Sequence, residues 1–153
     1  MTWSESVPYV ALGMSILSFI MSFYFGFRDR VHVHAVSKFY PQHPDYDQAN
    51  LDIRVVNRGR RIAVLTLFGG NTADGKWQGE GLGDKKTGLH LTEHDFYKRK
   101  FYFEDIVAAS PDSESEYVEL WFEDSLGKRH KVKHSRNGIQ KLKLAGTPNK
   151  ISN

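Results

Sequence analysis

The chain has 153 residues, room for about one domain plus an extra segment, and it holds no cysteine, which excludes disulfides, thiolate metal sites and cysteine nucleophiles. Its 21 basic and 18 acidic side chains leave a net charge of +3 that is unevenly placed: residues 1–127 balance to −5, and residues 128–153, with eight basic and no acidic groups, to +8. The C-terminal stretch is thus a cationic patch on an acidic body, and the lack of cysteine fits either side of a bacterial inner membrane while mildly favouring a reducing compartment.

From Ser6 to Phe27 there are 22 consecutive residues without a formal charge. As a helix this run reaches roughly 30 Å, the thickness of a bilayer's hydrocarbon layer. A cleaved leader needs basic residues ahead of the apolar run and small residues at its exit. Here Glu5 precedes it and Phe23-Tyr24-Phe25-Gly26-Phe27 closes it. Trp3, Tyr9 and Tyr24 fit interfacial aromatic belts. Residues 1–29 therefore read as a retained single-pass anchor, with a buried core helix of a soluble domain as the alternative. Arg28, Arg30 and Lys38 follow the run and only Glu5 precedes it, so the positive-inside bias places the C-terminal domain in the cytoplasm, with Asp29 narrowing the margin. A periplasmic domain is the other possibility. Ala11, Ser15, Ser18, Ser22 and Gly26 fall on one stripe of the helix. Small residues at that spacing let a second helix approach, or each serine bonds back to the carbonyl of residue i−4.

Beyond Arg30 the period changes from helical to extended. Residues 31–36 alternate as a strand, and "YPQHPDYDQAN" is a loop. "LDIRVVN" and "RIAVLTLFGG" read as two strands of an antiparallel hairpin around the turn "NRGR", with Gly59 free to take positive φ. "KWQGEGLGDKKTG" is a loop or short edge strands. Extended segments follow around Leu89–Leu91 and Phe96–Phe103, then a helical turn in "EDIVAAS" and an acidic loop in "PDSESE". "YVELWFEDSLGKRHKVKH" is the clearest hairpin. The stretch after His134 is expected to fray, unless Ile139, Leu142 and Leu144 cap the sheet. The predicted fold is mainly β: one N-terminal transmembrane helix, an antiparallel immunoglobulin-like β-sandwich over residues 30–145 and a disordered tail over 146–153. Trp121, Phe68, Phe101 and Phe103 are the expected core fillers.

The N-terminal anchor, "VVNRGRRIAVLTLFGG" and "VELWFEDSLGKRH" together resemble small bacterial and prophage-type membrane proteins that carry one transmembrane helix and an immunoglobulin-like sandwich. The resemblance implies fold and topology, and its prophage context makes interference with superinfecting phages, or another host-defence role, a conceivable task.

Candidate chemistry is sparse. His32 and His34 share one side of a strand, and His130 and His134 share one side of another. If those strands are neighbours, their imidazoles converge on zinc; otherwise they are wet positions alternating with core valines, the favoured reading. No nucleophile elbow or phosphate-binding Gly-Lys-Ser/Thr loop is present, so an enzyme is not expected and no cofactor or metal is implied. The basic clusters remain. Arg28 and Arg30, Arg58, Arg60 and Arg61, and Lys128, Arg129, Lys131 and Lys133 are candidates for an anionic surface; Lys98, Arg99 and Lys100 lie on an edge-like strand. Nucleic acid is the weaker partner, because these residues are scattered and not interleaved with aromatics. Charged strand edges also deter unwanted pairing between sheets. The preferred expectation is a non-enzymatic, membrane-anchored interaction module with a protein partner or a second copy contacted through the helix. The alternative is a membrane-linked binder of lipid headgroups or nucleic acid.

Overall fold

The computed structural model describes residues 3–28, 30–43, 48–84, 87–110 and 113–146. Helix α1 (Trp3–Arg28) has 26 residues, about 39 Å of rise. Its apolar span, Pro8–Gly26, is long enough to cross a membrane and has none of its surface buried in protein. A core helix would have one face covered, so that alternative is set aside.

The other described elements are mainly β-strands: β1 (Val33–Tyr40), β2 (Asn50–Asn57), β3 (Ala63–Thr72), β4 (Trp77–Gly81), β5 (Leu89–Leu91), β6 (Phe96–Phe101), a 3₁₀ turn (Glu104–Ile106), β7 (Val107–Ser110), β8 (Ser113–Asp124) and β9 (Arg129–Lys131), closed by α2 (Ser135–Gly146). Two antiparallel sheets result. One has the order β1-β2-β6; the other has β4-β3-β8-β7, with β5 beside β3 and β9 beside β8. The expected β2–β3 hairpin does not exist. β2 lies at the centre of the first sheet and β3 in the second, so "NRGR" is a crossover between sheets. The late hairpin is present as expected, pairing Trp121 with Lys131 and Glu123 with Arg129.

Alternation places one face of each strand inside. On β2, Leu51, Ile53, Val55 and Asn57 are buried while Arg54 between them is exposed. On β3 the alternation slips at a register shift between Leu65 and Leu67, where Thr66 is the extra residue against β8. Its hydroxyl donates to the Glu123 carbonyl at 3.3 Å. A bulge of this kind re-aims the following side chains, which explains how Ala63, Leu65 and then Phe68 all reach the core. Aromatic rings from the two sheets meet there: Phe101 packs on Phe68 with centroids 6.5 Å apart and on Tyr117 at 6.2 Å, and Tyr97 meets Phe122 at 6.4 Å.

The sheets are stitched together along one side. β1 and the segment after β9 meet at Val36 and Lys133, where the Ser37 amide and hydroxyl both donate to the Lys133 carbonyl at 3.0 Å. On the other side, no strand among the described residues pairs with the outer edge of β4 or β6. α2 closes the end far from α1. Ile139 and Leu142 are buried, and a Cβ on Gly138 would collide with Leu51. The expected fraying thus gives way to a helix; Ile139 and Leu142 do cap the core, while Leu144 stays 80% exposed. Phe103, expected in the core, is also exposed. Residues 147–153, which make up nearly all of the expected tail, lie outside the described residues.

The end nearest α1 is organised by Asn57, which is fully buried. Its side-chain amide donates to the Arg61 carbonyl at 2.7 Å and to the Leu91 carbonyl at 2.9 Å, and its Oδ1 accepts from the Gly59 amide at 3.0 Å. Replacing Asn57 with Ala strands all three groups. The Asn57→Ala chain in detergent is expected to lose about 2–4 kcal/mol of stability, read as a lowered unfolding midpoint. An unchanged midpoint would show that the staple does not hold the crossover.

Candidate functional site

The chain leaving α1 packs directly on the crossover. The Arg58 amide donates to the His32 carbonyl at 2.7 Å. A Cβ on Gly59 would collide with the Arg30 carbonyl oxygen. Gly59 does not take positive φ, so the glycine is required for space and not for the turn conformation expected of it. Two further connections share this end. The His94 amide donates to the Asn57 carbonyl at 2.8 Å, and the Ser125 amide donates to the Val64 carbonyl at 2.9 Å. Arg30, Arg58, Arg60, Arg61 and Lys128 are all exposed there. Arg28 ends α1, and its side chain lies outside the described residues.

The remaining predicted cations lie elsewhere. Arg129 stacks on the outer face of the second sheet, 4.5 Å from the Trp77 ring and 4.2 Å from the Trp121 ring. Lys131 pairs with Glu119 at 3.3 Å. Lys133 is exposed beside the β1 seam.

Trp121 is fully buried, as the sequence suggested, but on the outer face of the second sheet and not in the cluster between the sheets. Leu120 and Phe122 belong to the core, so Trp121 between them faces outward, and it is buried there by its own cover. The indole lies against Gly69 and Gly79, where a Cβ would come within 2.9 and 3.5 Å of it. Its N–H donates to Asn71 Oδ1 at 3.2 Å, and the Asn71 amide donates to Glu119 at 3.3 Å. Trp77 meets it edge-on at 5.9 Å and is 54% exposed. Tryptophan and arginine are the side chains most often dominant at protein interfaces. The alternation Leu-Trp-Phe opposite two glycine-bearing strands is the signal for this cluster.

A cleft of about 350 Å³ opens on the unstitched side between β4 and β6, with Phe68, Phe101 and Tyr117 at its floor and Glu104 and Asp105 at its rim. Arg99 crosses it, ion-paired to Glu80 and stacked over Phe68 at 4.6 Å. Tyr117 has its pKa raised, chiefly by burial and then by the Glu80 charge, with Arg99 opposing.

The histidines do not converge. His130 bonds Asp124 at 2.8 Å, and Asp124 also accepts from the Leu126 and Lys128 amides at 3.0 Å. Burial pushes the Asp124 pKa upward, but the His130 bond and those amides outweigh it and leave it lowered. His34 is held below the ordinary imidazole range by burial, then by the Arg58 and Lys133 charges. Among the described residues no group of three or more His, Cys, Asp or Glu is placed to hold a metal. Along α1, Ser15 donates to the Ala11 carbonyl at 2.9 Å, the intrahelical alternative.

No known family matches this chain, and no curated protein does. Among solved structures it is similar to one described as "X-ray structure of Northeast Structural Genomics Consortium target SoR45", at 12% identity over 69% of this chain and 82% of that one, with a TM-score of 0.28. So slight a likeness bears on neither fold nor function.

Two outcomes follow from the geometry. His34 binds its proton more weakly in the folded chain than in the unfolded one, so stability falls as pH drops below about 6.5, where the unfolded imidazole protonates first. The fall in denaturation midpoint between pH 7.5 and 5.5 is expected to shrink in His34→Gln; an equal fall in both chains would exclude His34 as its source. Arg129→Ala uncovers Trp121 and is expected to red-shift tryptophan emission at a cost of roughly 1 kcal/mol.

Proposed function

We propose that this protein is a non-enzymatic, single-pass membrane protein whose immunoglobulin-like β domain is an interaction module for a protein partner. The observation that carries the reading is an apolar helix with no protein cover, joined to a β domain whose outer face carries Trp77 beside the Arg129–Trp121 stack. A bare apolar helix of this length is stable where lipid covers it. An exposed tryptophan backed by a rigid aromatic-guanidinium stack has little side-chain freedom to lose on binding, which favours association. The positive-inside bias of Arg28 and Arg30 after the helix supports a domain on the cytoplasmic side of a bacterial inner membrane. The prophage-type resemblance extends the reading to host defence or superinfection interference, which plaque counts on expressing cells would test.

The full chain is expected to stay with membranes through carbonate extraction, and a chain lacking residues 1–29 to be released. A photo-crosslinking side chain at position 77 is expected to trap a partner in living cells, and one at Leu144 to trap none. Release of the full chain by carbonate would sink the anchored reading. Equal trapping at the two positions would sink the tryptophan face as the contact.

A further inference from the structure

The end of the β domain where α1 enters carries more than arginines. The β8–β9 turn places Leu126 there at 90% exposure, and Ile62, which leads into β3 beside it, is 54% exposed. The two turns are tied together by the Ser125–Val64 hydrogen bond. Around these aliphatic side chains stand Arg30, Arg58, Arg60, Arg61 and Lys128. The carboxylates exposed at the same end are Glu93, 3.8 Å from His94, and Asp95, which accepts from the Phe96 amide at 2.8 Å. Among the described residues, Arg58, Arg60, Arg61 and Lys128 thus share this end with the exposed carboxylates Glu93 and Asp95. On the tryptophan face of the second sheet the cations are matched: Lys131 and Arg136 with Glu119, and Arg129 with Glu123. The outer face of the first sheet is itself cationic, with Lys38, Arg54, Lys98 and Lys100 around Asp52, so charge alone does not single out the end where α1 enters, and the aliphatic pair and the chain connection do.

Resting on the reading of α1 as a membrane anchor, we infer that this end is a lipid-docking surface: Arg58, Arg60, Arg61 and Lys128 contact anionic headgroups while Leu126 and Ile62 enter the interface. The occupant follows from continuity. The chain emerges from the bilayer at Arg28, and within four residues the Arg58–His32 bond has fixed it to this end of the domain. No surface of the domain is nearer the lipid along the chain. Basic side chains close to an anionic leaflet are attracted to it, and an exposed aliphatic pair gains by leaving water for the interfacial region. Asp124 makes the Leu126 tip rigid through its two turn amides, so the loop loses little freedom on insertion. The geometry holds whichever side of the membrane the domain occupies.

The absence of cysteine makes the test direct. Single-cysteine full-length chains (Leu126→Cys, Ile62→Cys and, at the far end, Leu144→Cys) are labelled with an environment-sensitive fluorophore. They are then reconstituted in vesicles of phosphatidylcholine with or without phosphatidylglycerol. With phosphatidylglycerol, the probes at 126 and 62 are expected to emit blue-shifted and to escape iodide quenching, while the probe at 144 stays water-like. The shift is expected to shrink without phosphatidylglycerol and in the Arg58→Gln, Arg60→Gln, Arg61→Gln, Lys128→Gln chain. A water-like probe at 126 in protein that resists carbonate overturns the docking surface and leaves the anchor standing. Release by carbonate overturns both. Protection that is equal on pure phosphatidylcholine overturns the role of charge, and protection that fades on tenfold dilution in lipid assigns the surface to a second copy of the chain.

Discussion

One buried asparagine holds together the region on which the rest of the fold depends. Asn57 ends the central strand of the first sheet, and its amide reaches the crossover to the second sheet and the end of β5. Its backbone carbonyl receives the His94 amide and its own amide donates to Asp95, which adds the β5–β6 turn. A buried polar group of this kind is costly when half satisfied and rigidifying when every partner is present. Every polar atom of Asn57 is engaged, so three chain segments meet at a fixed point instead of a mobile loop. The chain leaving α1 passes over that point because Gly59 leaves room for the Arg30 backbone.

The asymmetry of the two-sheet domain follows from where its seam lies. β1 and the segment after β9 are bonded through Ser37 and Lys133, so that side is closed by backbone hydrogen bonds. Opposite, β4 and β6 face each other with no strand among the described residues between them, and the inter-sheet space is bridged by the Arg99–Glu80 pair and floored by aromatic rings. Charged side chains at such edges discourage pairing with foreign strands, and Lys98, Lys100 and Glu80 all stand exposed there. The cleft is therefore polar at its mouth and aromatic inside.

How much of this was legible in the sequence depended on the range of the interaction. The long apolar helix, most strands and the late hairpin announce themselves through local period and turn residues. The pairing of β2 with β3 was misread because Asn-Arg-Gly-Arg signals a sharp change of direction, and a crossover between sheets needs one as much as a hairpin does. The Thr66 bulge hid the inward face of β3, since an extra residue converts alternation into a continuous apolar run. α2 was missed because its buried contribution rests on Ile139 and Leu142 with Gly138, a stripe one turn wide in a lysine-rich segment. The cation cluster was legible residue by residue but not as a unit. Arg30, the 58–61 arginines and Lys128 are distant in sequence, and only the Asn57 and Ser125 contacts bring them to one end.

The position of the tryptophan face acquires meaning from the same end. The strands run between the anchor end and the end covered by α2, so the broad faces of both sheets look sideways from that axis. With the anchor end against headgroups, Trp77 and Arg129 face along the membrane plane and not into the bulk solution. A partner reaching them then approaches over the lipid surface, where two-dimensional confinement raises its effective concentration, as tethering does for linked modules. A rigid, modest contact of one exposed tryptophan and its stack is enough in that setting, whereas a soluble partner would need a larger interface to achieve the same occupancy. The electrostatics agree with this division. Glu119 and Glu123 offset Lys131, Arg136 and Arg129 on the tryptophan face, whereas the end where α1 enters and the outer face of the first sheet, with Lys38, Arg54, Lys98 and Lys100, carry the surplus positive charge, so a neutral partner face and a cationic membrane-facing end divide the proposed contacts between them.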